Sequence, residues 1–239
     1  QLMPDHLHGI LFVTQQMEQH LGMVLKGFKA GCNKAYRQLG YAATVLQHRK
    51  TDRTHGFLFS RNYNDHILEG AGELERWFQY LHDNPRRLAV RRKHPDYFHV
   101  RFGITIEGQS YAAIGNRFLL DSPEKVQVQC SRRLTKEQVA ETVAAMLAKA
   151  RRGAVLVSPA ISQGEQAVMR AALDARLPLI FLTPWGFNAF SKPSHQYFEA
   201  CSEGRFLILA PWEHQNQRIP LTRDMCLALN AMTATICRS

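Results

Sequence analysis

The sequence is short of the features that mark secreted, membrane-embedded or zinc-stabilised proteins. Its cysteines are odd in number, scattered and without a C-x₂-C pair, at positions Cys32, Cys130, Cys201, Cys226 and Cys237. This pattern argues against a disulfide framework and against a zinc module. No apolar run approaches the ~20 residues that a membrane span requires, and no charged-then-apolar leader opens the chain. We therefore expect a cytoplasmic protein without a membrane partner.

Two nucleotide-binding motifs are also missing, and positive charge is abundant. Neither G-x-G-x-x-G nor a P-loop occurs, so the sequence implies neither a dinucleotide nor ATP. Lys and Arg number 30 against 20 Asp and Glu, a formal charge of +10. Such an excess is typical of proteins that meet a polyanion. The 239 residues, 45% of them hydrophobic, are enough for two domains with cores of their own.

Two histidines lie two residues apart in the opening apolar segment, Met3–Val13. Side chains at this spacing point to the same face of a strand, so His6 and His8 would present two imidazoles toward one metal or one phosphate. The pattern predicts a strand that carries a site. The alternative is a chance pair in a chain with 11 histidines.

A second segment pairs a tyrosine with an asparagine. Four apolar residues from Leu74 to Leu81 recur at helical spacing, and Pro85 cannot continue a helix, so we expect an amphipathic helix that ends near Asn84. Tyr80 and Asn84 are then i and i+4 neighbours on one face. The alternative is a surface tyrosine with an asparagine that ends the helix.

Both segments resemble the single-tyrosine HUH transposases of insertion sequences, above all the REP-associated tyrosine transposases. That family pairs a Met-Pro-Asn-His-hydrophobic-His strand with a Tyr-hydrophobic-x-x-Asn-Pro helix. The matching blocks, in order and spacing, are Met3–Gly9, Leu25–Lys29, Asn62–Leu68 and Tyr80–Pro85. The resemblance implies an α+β, ferredoxin-like HUH domain over residues 1–96. Family members place a strand and a helix before the histidine motif, so we expect the sheet to lack its first strand.

The resemblance implies a DNA nicking-and-joining enzyme that acts in transposition. His6, His8 and the Asn84 amide would hold Mg²⁺ or Mn²⁺ and leave coordination positions open for a phosphate. Tyr80 would attack the phosphorus, form a 5′-phosphotyrosine link and release a 3′-hydroxyl. The expected partner is single-stranded DNA that contains a hairpin, and a homodimer stays open.

Two groups of cations are the expected DNA contacts of this domain. One follows the tyrosine helix directly and consists of Arg86, Arg87, Arg91 and Arg92. A DNA backbone that enters the site would need neutralising there. The other, Lys26 and Lys29, lies on a helical pattern from about residue 15 to residue 39. The alternative for both groups is a solvated helix face.

The C-terminal half alternates apolar strands with amphipathic helices, the first of which opens with the capping box Thr135-x-x-Gln138. This order predicts a doubly wound, mostly parallel, Rossmann-like domain over residues 124–239, and an α/β class for the whole chain. Residues 97–123 are too apolar for a flexible linker and are expected to form a structured connector.

Ligands of such sheets bind beyond the carboxyl ends of the strands. Here those ends include Ser131-Arg132 and the segment 158–164. Backbone N–H groups at the start of the helix after Ser162 could bind a phosphate, and Arg132 could pair with it.

The order of these pieces resembles the Rossmann-like domain of the DNA-processing protein A family, which binds single-stranded DNA during bacterial transformation. Ser131-Arg132 and Gly164 follow the pattern of that family, whereas Pro159 stands where its turn carries glycine. The resemblance implies DNA contacts at Ser131 and Arg132. The alternatives are a domain for dimerisation or for a nucleotide-like ligand.

The sequence thus predicts a two-domain bacterial protein, an HUH nuclease domain joined to a Rossmann-like domain. The alternative function is a domesticated DNA-binding or regulatory protein. Such a protein would keep the HUH fold without transposing, and its Rossmann-like domain would bind single-stranded DNA or a nucleotide-like ligand.

Overall fold

The computed structural model describes residues 1–4, 6–40, 58–60, 62–217 and 220–239. The chain divides into two compact units, Gln1–Pro85 and Arg86–Ser239. None of the helices in these ranges combines the length and the apolar character that crossing a bilayer requires.

The first unit contains helix α1, Leu21–Gln38, and the beginning of helix α2, Glu73–Lys93. Its opening segment is a tight turn instead of the expected strand. Leu2 and Leu7 form an isolated antiparallel bridge, and the Met3 amide donates to the His6 carbonyl at 2.9 Å. Pro4 explains the turn, because its fixed φ favours a corner at this point. The described residues of this unit contain no regular strand, so the ferredoxin-like sheet expected there is absent from them.

The second unit is built on one six-stranded sheet. Its strands are β1 Arg101–Ile106, β2 Gln109–Gly115, β3 Lys125–Gln127, β4 Val155–Ser158, β5 Leu179–Leu182 and β6 Phe206–Ala210. They lie in the order β1-β2-β6-β5-β4-β3. The four strands from β3 to β6 are parallel, and β2 pairs antiparallel with both β1 and β6. This mixed sheet with its helices confirms the α/β class.

Residues 97–123 contribute two of these strands. β1 and β2 form a hairpin closed by the pair Ile106 and Gln109. The two residues between them, Glu107 and Gly108, have φ values of 45° and 79°. Positive φ at both positions is the mark of a two-residue hairpin turn whose twist matches that of the strands. The segment expected to connect two domains therefore extends the sheet.

Four helices follow the parallel strands: α3 Lys136–Arg151, α4 Gln163–Asp174, α5 His195–Ser202 and α6 Arg223–Arg238. The predicted capping box of α3 is confirmed, since the Thr135 hydroxyl accepts from the Gln138 amide and the Gln138 side chain accepts from the Thr135 amide. Helices α3, α4 and α5 bury one face of the sheet around Leu156 and Phe198. Helix α6 buries the other face around Val157 and Leu229.

The uneven distribution of helices follows from the strand order. From β3 to β6 each strand is added on the same side of the one before. Right-handed crossovers in one direction place all connecting helices on the same face. Both faces are covered, as expected for a doubly wound sheet, but the parallel strands contain no reversal of order. The crevice that such a reversal opens for ligands is therefore missing among them.

We expect Gly115→Ala to destabilise the second unit far more than Gly153→Ala. The two glycines have similar φ values, +110° and +108°, so alanine at either position costs about 1–3 kcal/mol of backbone strain. A Cβ at Gly115 would also lie 2.2 Å from the backbone oxygen of Phe206 in β6, whereas one at Gly153 would meet nothing within 4 Å. Urea unfolding followed by tryptophan fluorescence measures both losses. Equal losses would contradict the close approach of β2 and β6.

Candidate nucleic-acid interface

The structure brings together the four side chains of the predicted metal and nucleophile site. The ring centroids of His6 and His8 lie 4.4 Å apart, and those of His8 and Tyr80 lie 5.8 Å apart. Asn84 is buried, and its Nδ2 is 3.5 Å from Nδ1 of His8. Tyr80 and Asn84 share helix α2, as expected, but the helix does not end near Asn84: it continues through Pro85 to Lys93. The arginines expected to follow the helix therefore lie on it. The histidines reach the helix from a turn and not from a strand.

Lys29, one of the expected DNA contacts, forms hydrogen bonds within the first unit. Its Nζ donates to the carbonyls of Ser60 and Asn62 at 3.0 and 2.9 Å, which fastens that segment to α1. Lys26, one turn earlier, is exposed. Of the two lysines, Lys26 is the one whose ammonium points to solvent.

Two arginines after Pro85 also have partners within the second unit. Arg86 forms an ion pair with Glu199 of α5, and the Arg87 guanidinium lies 4.3 Å from the centre of the Phe198 ring. Both contacts fix the end of α2 to α5, so these two cations are committed to packing. Arg91 is half-buried and Arg92 is exposed.

A carboxylate of the chain itself bonds to the loop directly before α4, beside the helix end where a phosphate was expected. Oε2 of Glu165 accepts from the amides of Ile161 and Ser162 at 2.7 and 3.1 Å. Its Oε1 accepts from the Cys130 amide, beyond the end of β3, at 3.2 Å. Glu165 is 2% exposed. These bonds join the end of β3 to the loop before α4, and the one from Ser162 completes the capping box of this helix.

The amino end of α4 also packs closely against the end of β3. A Cβ on Gly164 would lie 2.8 Å from Cβ of Cys130, so only glycine allows α4 to approach this closely. The predicted partner Arg132 points elsewhere, with Nη2 3.9 Å from Sγ of Cys226 in α6. The Ser131 hydroxyl accepts from the Arg133 amide at 3.2 Å.

The neighbouring thiols are packing groups. Burial raises the pKa of Cys201 to about 12. Burial, together with the Glu165 carboxylate, also raises the pKa of Cys130. Both side chains stay protonated near neutral pH and have no nucleophilic character.

A groove lies between α3 and α4 and extends from their amino ends. It has a volume of ≈ 440 Å³ and is lined by Leu134, Lys136, Val139, Gln163, Gln166 and Arg170. Its two cations and two amides are exposed above the apolar pair. Sequence reasoning missed these residues, although Gln163, Gln166 and Arg170 follow one face of α4 at helical spacing.

Two exposed aromatic rings lie in the loop after β5, at the same carboxyl edge of the sheet. Trp185 is 36% exposed and Phe190 is 86% exposed. The loop is fixed at Gly186, where a Cβ would lie 2.2 Å from the backbone of Glu213. His214 adds a hydrogen bond between its Nδ1 and the Gly186 carbonyl at 3.1 Å. Because a carbonyl can only accept, that ring nitrogen carries the proton.

Comparisons with known proteins give structural matches only. No protein-family model and no curated protein matches the chain. One solved structure that matches concerns the single-stranded DNA binding mode of DNA processing protein A from Helicobacter pylori, with 23% identity and a TM-score of 0.44 over 59% of this chain and 67% of that one. Another is DNA processing protein A (DprA) from Streptococcus pneumoniae, with 22% identity and a TM-score of 0.43 over 93% and 77%.

These matches correct the expectation of an enzyme. Both are to DNA processing protein A, one of them in a study of its single-stranded DNA binding mode, and neither is to a transposase. The HUH nicking-and-joining assignment also lacks support from any family model. The nucleophilic role of Tyr80 depended on that assignment and is dropped with it.

We expect Glu165→Ala to destabilise the second unit by at least about 3 kcal/mol. The change leaves three N–H groups without their acceptor, and each unpaired buried donor costs about 1–3 kcal/mol. Gln138→Ala in α3 is the matched control, because it removes one hydrogen bond at an exposed capping box. Its expected cost is about 0.5–1.5 kcal/mol. Chemical unfolding of the unchanged protein and of the two variants measures the losses in free energy of unfolding. Similar losses for both variants would show that Glu165 contributes no more than an ordinary capping residue.

Proposed function

We propose that this protein binds single-stranded DNA at the carboxyl edge of its parallel strands. The observation that carries the proposal is the joint presence of exposed cations and exposed aromatic rings at that edge. Lys136 and Arg170 line the groove, and Trp185 and Phe190 lie in the loop after the next strand of the sheet. Proteins that bind single strands combine a positive groove for the backbone with rings on which bases stack.

The exposed rings favour a single strand over a duplex. Bases in a duplex are stacked on one another and present only their edges, whereas an unpaired base offers a face to an aromatic side chain. The cations alone would suit either form. Arg132 and Arg133 lie in the loop directly before the groove and are exposed, so the positive surface continues beyond it. The net charge of +10 agrees with a polyanionic partner.

We expect Lys136→Ala and Arg170→Ala each to weaken binding of a fluorescent oligothymidine and to flatten its salt dependence. Each lost phosphate contact lowers the slope of log K against log salt by about 0.7 for a single strand. Arg151→Ala is the matched control, because Arg151 is an exposed cation in the last turn of α3, away from the carboxyl edge. Anisotropy titrations at several salt concentrations measure the slopes, and an equal effect of all three variants would overturn the assignment of the groove.

Trp185→Ala is expected to lower the affinity for DNA by about 1–3 kcal/mol with little change in the salt slope. The change removes the ring on which a base stacks but removes no phosphate contact. The same titration with a hairpin oligonucleotide and with an unstructured one of equal length tests for hairpin preference. Binding to duplex as tight as to single strand would contradict the stacking role.

We further propose that His6, His8 and Asn84 hold a divalent ion in the first unit. Two donor atoms 3.5 Å apart, as Nδ1 of His8 and the Asn84 amide are, can share an ion bound at about 2.1 Å. A half-turn of the Asn84 amide supplies the oxygen. Of the two ions expected, Mn²⁺ suits imidazole better, because Mg²⁺ prefers an all-oxygen shell. Within the described ranges no group of three or more His, Cys, Asp or Glu side chains is placed to hold a metal ion, so the proposed site depends on the Asn84 amide as its third ligand.

Calorimetry with Mn²⁺ tests the ion site directly. The unchanged protein should bind one ion, and His6→Ala combined with His8→Ala should abolish that binding because both nitrogen ligands are gone. His82→Ala is the matched control, since His82 is exposed on the same helix α2. Retained Mn²⁺ binding by the double variant would overturn the proposal.

A further inference from the structure

We propose that Asn188 and His214 position the ring of Phe190 for base stacking, and that protonation of His214 breaks this arrangement. The contribution of the ring to DNA binding is then present near neutral pH and is lost as the pH falls. This inference rests on the proposed function and deepens it, because it makes one of the two stacking rings dependent on pH.

The side-chain amide of Asn188 has a fixed orientation. Its Oδ1 accepts from the Phe190 backbone amide at 2.9 Å and from the Ser191 hydroxyl at 3.2 Å. The same hydroxyl accepts from the Asn188 backbone amide at 3.0 Å. A flipped side chain would place its NH₂ group against the N–H of Phe190, so that two donors would face each other. Oδ1 therefore belongs to the turn, and Nδ2 donates outside it.

This orientation determines where the proton lies on His214. Nδ2 of Asn188 can only donate, and it lies 3.3 Å from Nε2 of His214, so that ring nitrogen is the acceptor. The other ring nitrogen, Nδ1, donates to the Gly186 carbonyl at 3.1 Å. The two partners together fit only the neutral imidazole with its proton on Nδ1. A second proton, on Nε2, would face the Asn188 NH₂ group and break that bond, whereas the bond to Gly186 would remain.

The groups bonded to His214 are themselves uncharged, an amide and a backbone carbonyl. Among the described residues, the loop after β5, the segment after β6 and the first position of α5 contain three further titratable side chains, Glu213, Lys192 and His195. All three are exposed, and none of them forms a bond with His214. Imidazole takes up its proton between about pH 8 and pH 5, so a change from neutral to mildly acidic buffer tests the arrangement.

Trp185 provides an internal comparison, because its backbone is held by a different residue. Its amide donates to the Thr183 hydroxyl, directly after β5, at 3.2 Å. The following residue, Gly186, keeps its bond to His214 in both protonation states. We therefore expect Trp185 to keep its stacking contribution at acidic pH, whereas Phe190 loses its own.

The first arm of the test measures the affinity for oligothymidine at about pH 7.5 and about pH 5.5. Phe190→Ala and Trp185→Ala should each weaken binding at least about fivefold at the higher pH. At the lower pH the loss for Phe190→Ala should fall below about twofold, and the loss for Trp185→Ala should stay the same. Comparison with the unchanged protein at each pH cancels the charge that the histidines gain. An equal loss for Phe190→Ala at both pH values would overturn the inference.

The second arm removes the titrating group. Gln at position 214 takes up no proton, so in the background of His214→Gln the loss caused by Phe190→Ala should be the same at both pH values. His99→Gln is the matched control, because His99 is an exposed histidine directly before β1, and it should leave the pH dependence unchanged. A pH dependence that survives His214→Gln would belong to another group and would overturn the inference.

The third arm uses the unchanged protein without DNA. Nitrogen NMR of the His214 ring near neutral pH should show the proton on Nδ1. The Phe190 amide should exchange with solvent faster at acidic pH, once the intrinsic exchange rate is corrected for. A proton on Nε2 in a protein that binds oligothymidine would overturn the inference alone, whereas absence of oligothymidine binding at both pH values would overturn the proposed function and the inference with it.

Discussion

One buried carboxylate connects the loops from which the candidate interface is built. Glu165 accepts hydrogen bonds from the Cys130 amide, beyond the end of β3, and from the Ile161 and Ser162 amides, which directly precede its own helix. A carboxylate in this position would be costly without partners, since a buried charge needs hydrogen bonds to replace those of water. The three amides supply them, and the dipole of α4 adds to their effect. The end of β3 and the loop before α4 are therefore held together by one side chain.

Positive charge at this edge lies on the surface. Lys136 and Arg170 are exposed on α3 and α4 and line the groove proposed for DNA. The loop after β5 carries the exposed rings. Its backbone is held in place where Gly186 approaches Glu213 closely. Preorganised rings cost less entropy when a base stacks on them.

The first unit shows how a correct local pattern can accompany a wrong functional assignment. The four side chains His6, His8, Tyr80 and Asn84 do lie together. The turn at Pro4 places the two histidines beside helix α2, on which Tyr80 and Asn84 are one helical turn apart. The proximity is what the residue pattern predicted, and the divalent ion assigned to it is a proposal. Proximity of suitable groups establishes a site, whereas the reaction depends on what the site binds.

Local interactions are what the sequence by itself determined. The helix from Glu73, the Thr135 capping box and the alternation of apolar strands with helices depend on contacts within a few residues, and periodicity reveals them. The tertiary structure alone decided the addition of β1 and β2 to the sheet and the commitment of Arg86 and Arg87 to α5. It also decided the bond from Glu165 to Cys130. These contacts join residues far apart in the chain, so they depend on which surfaces remain to be buried after the local elements have formed.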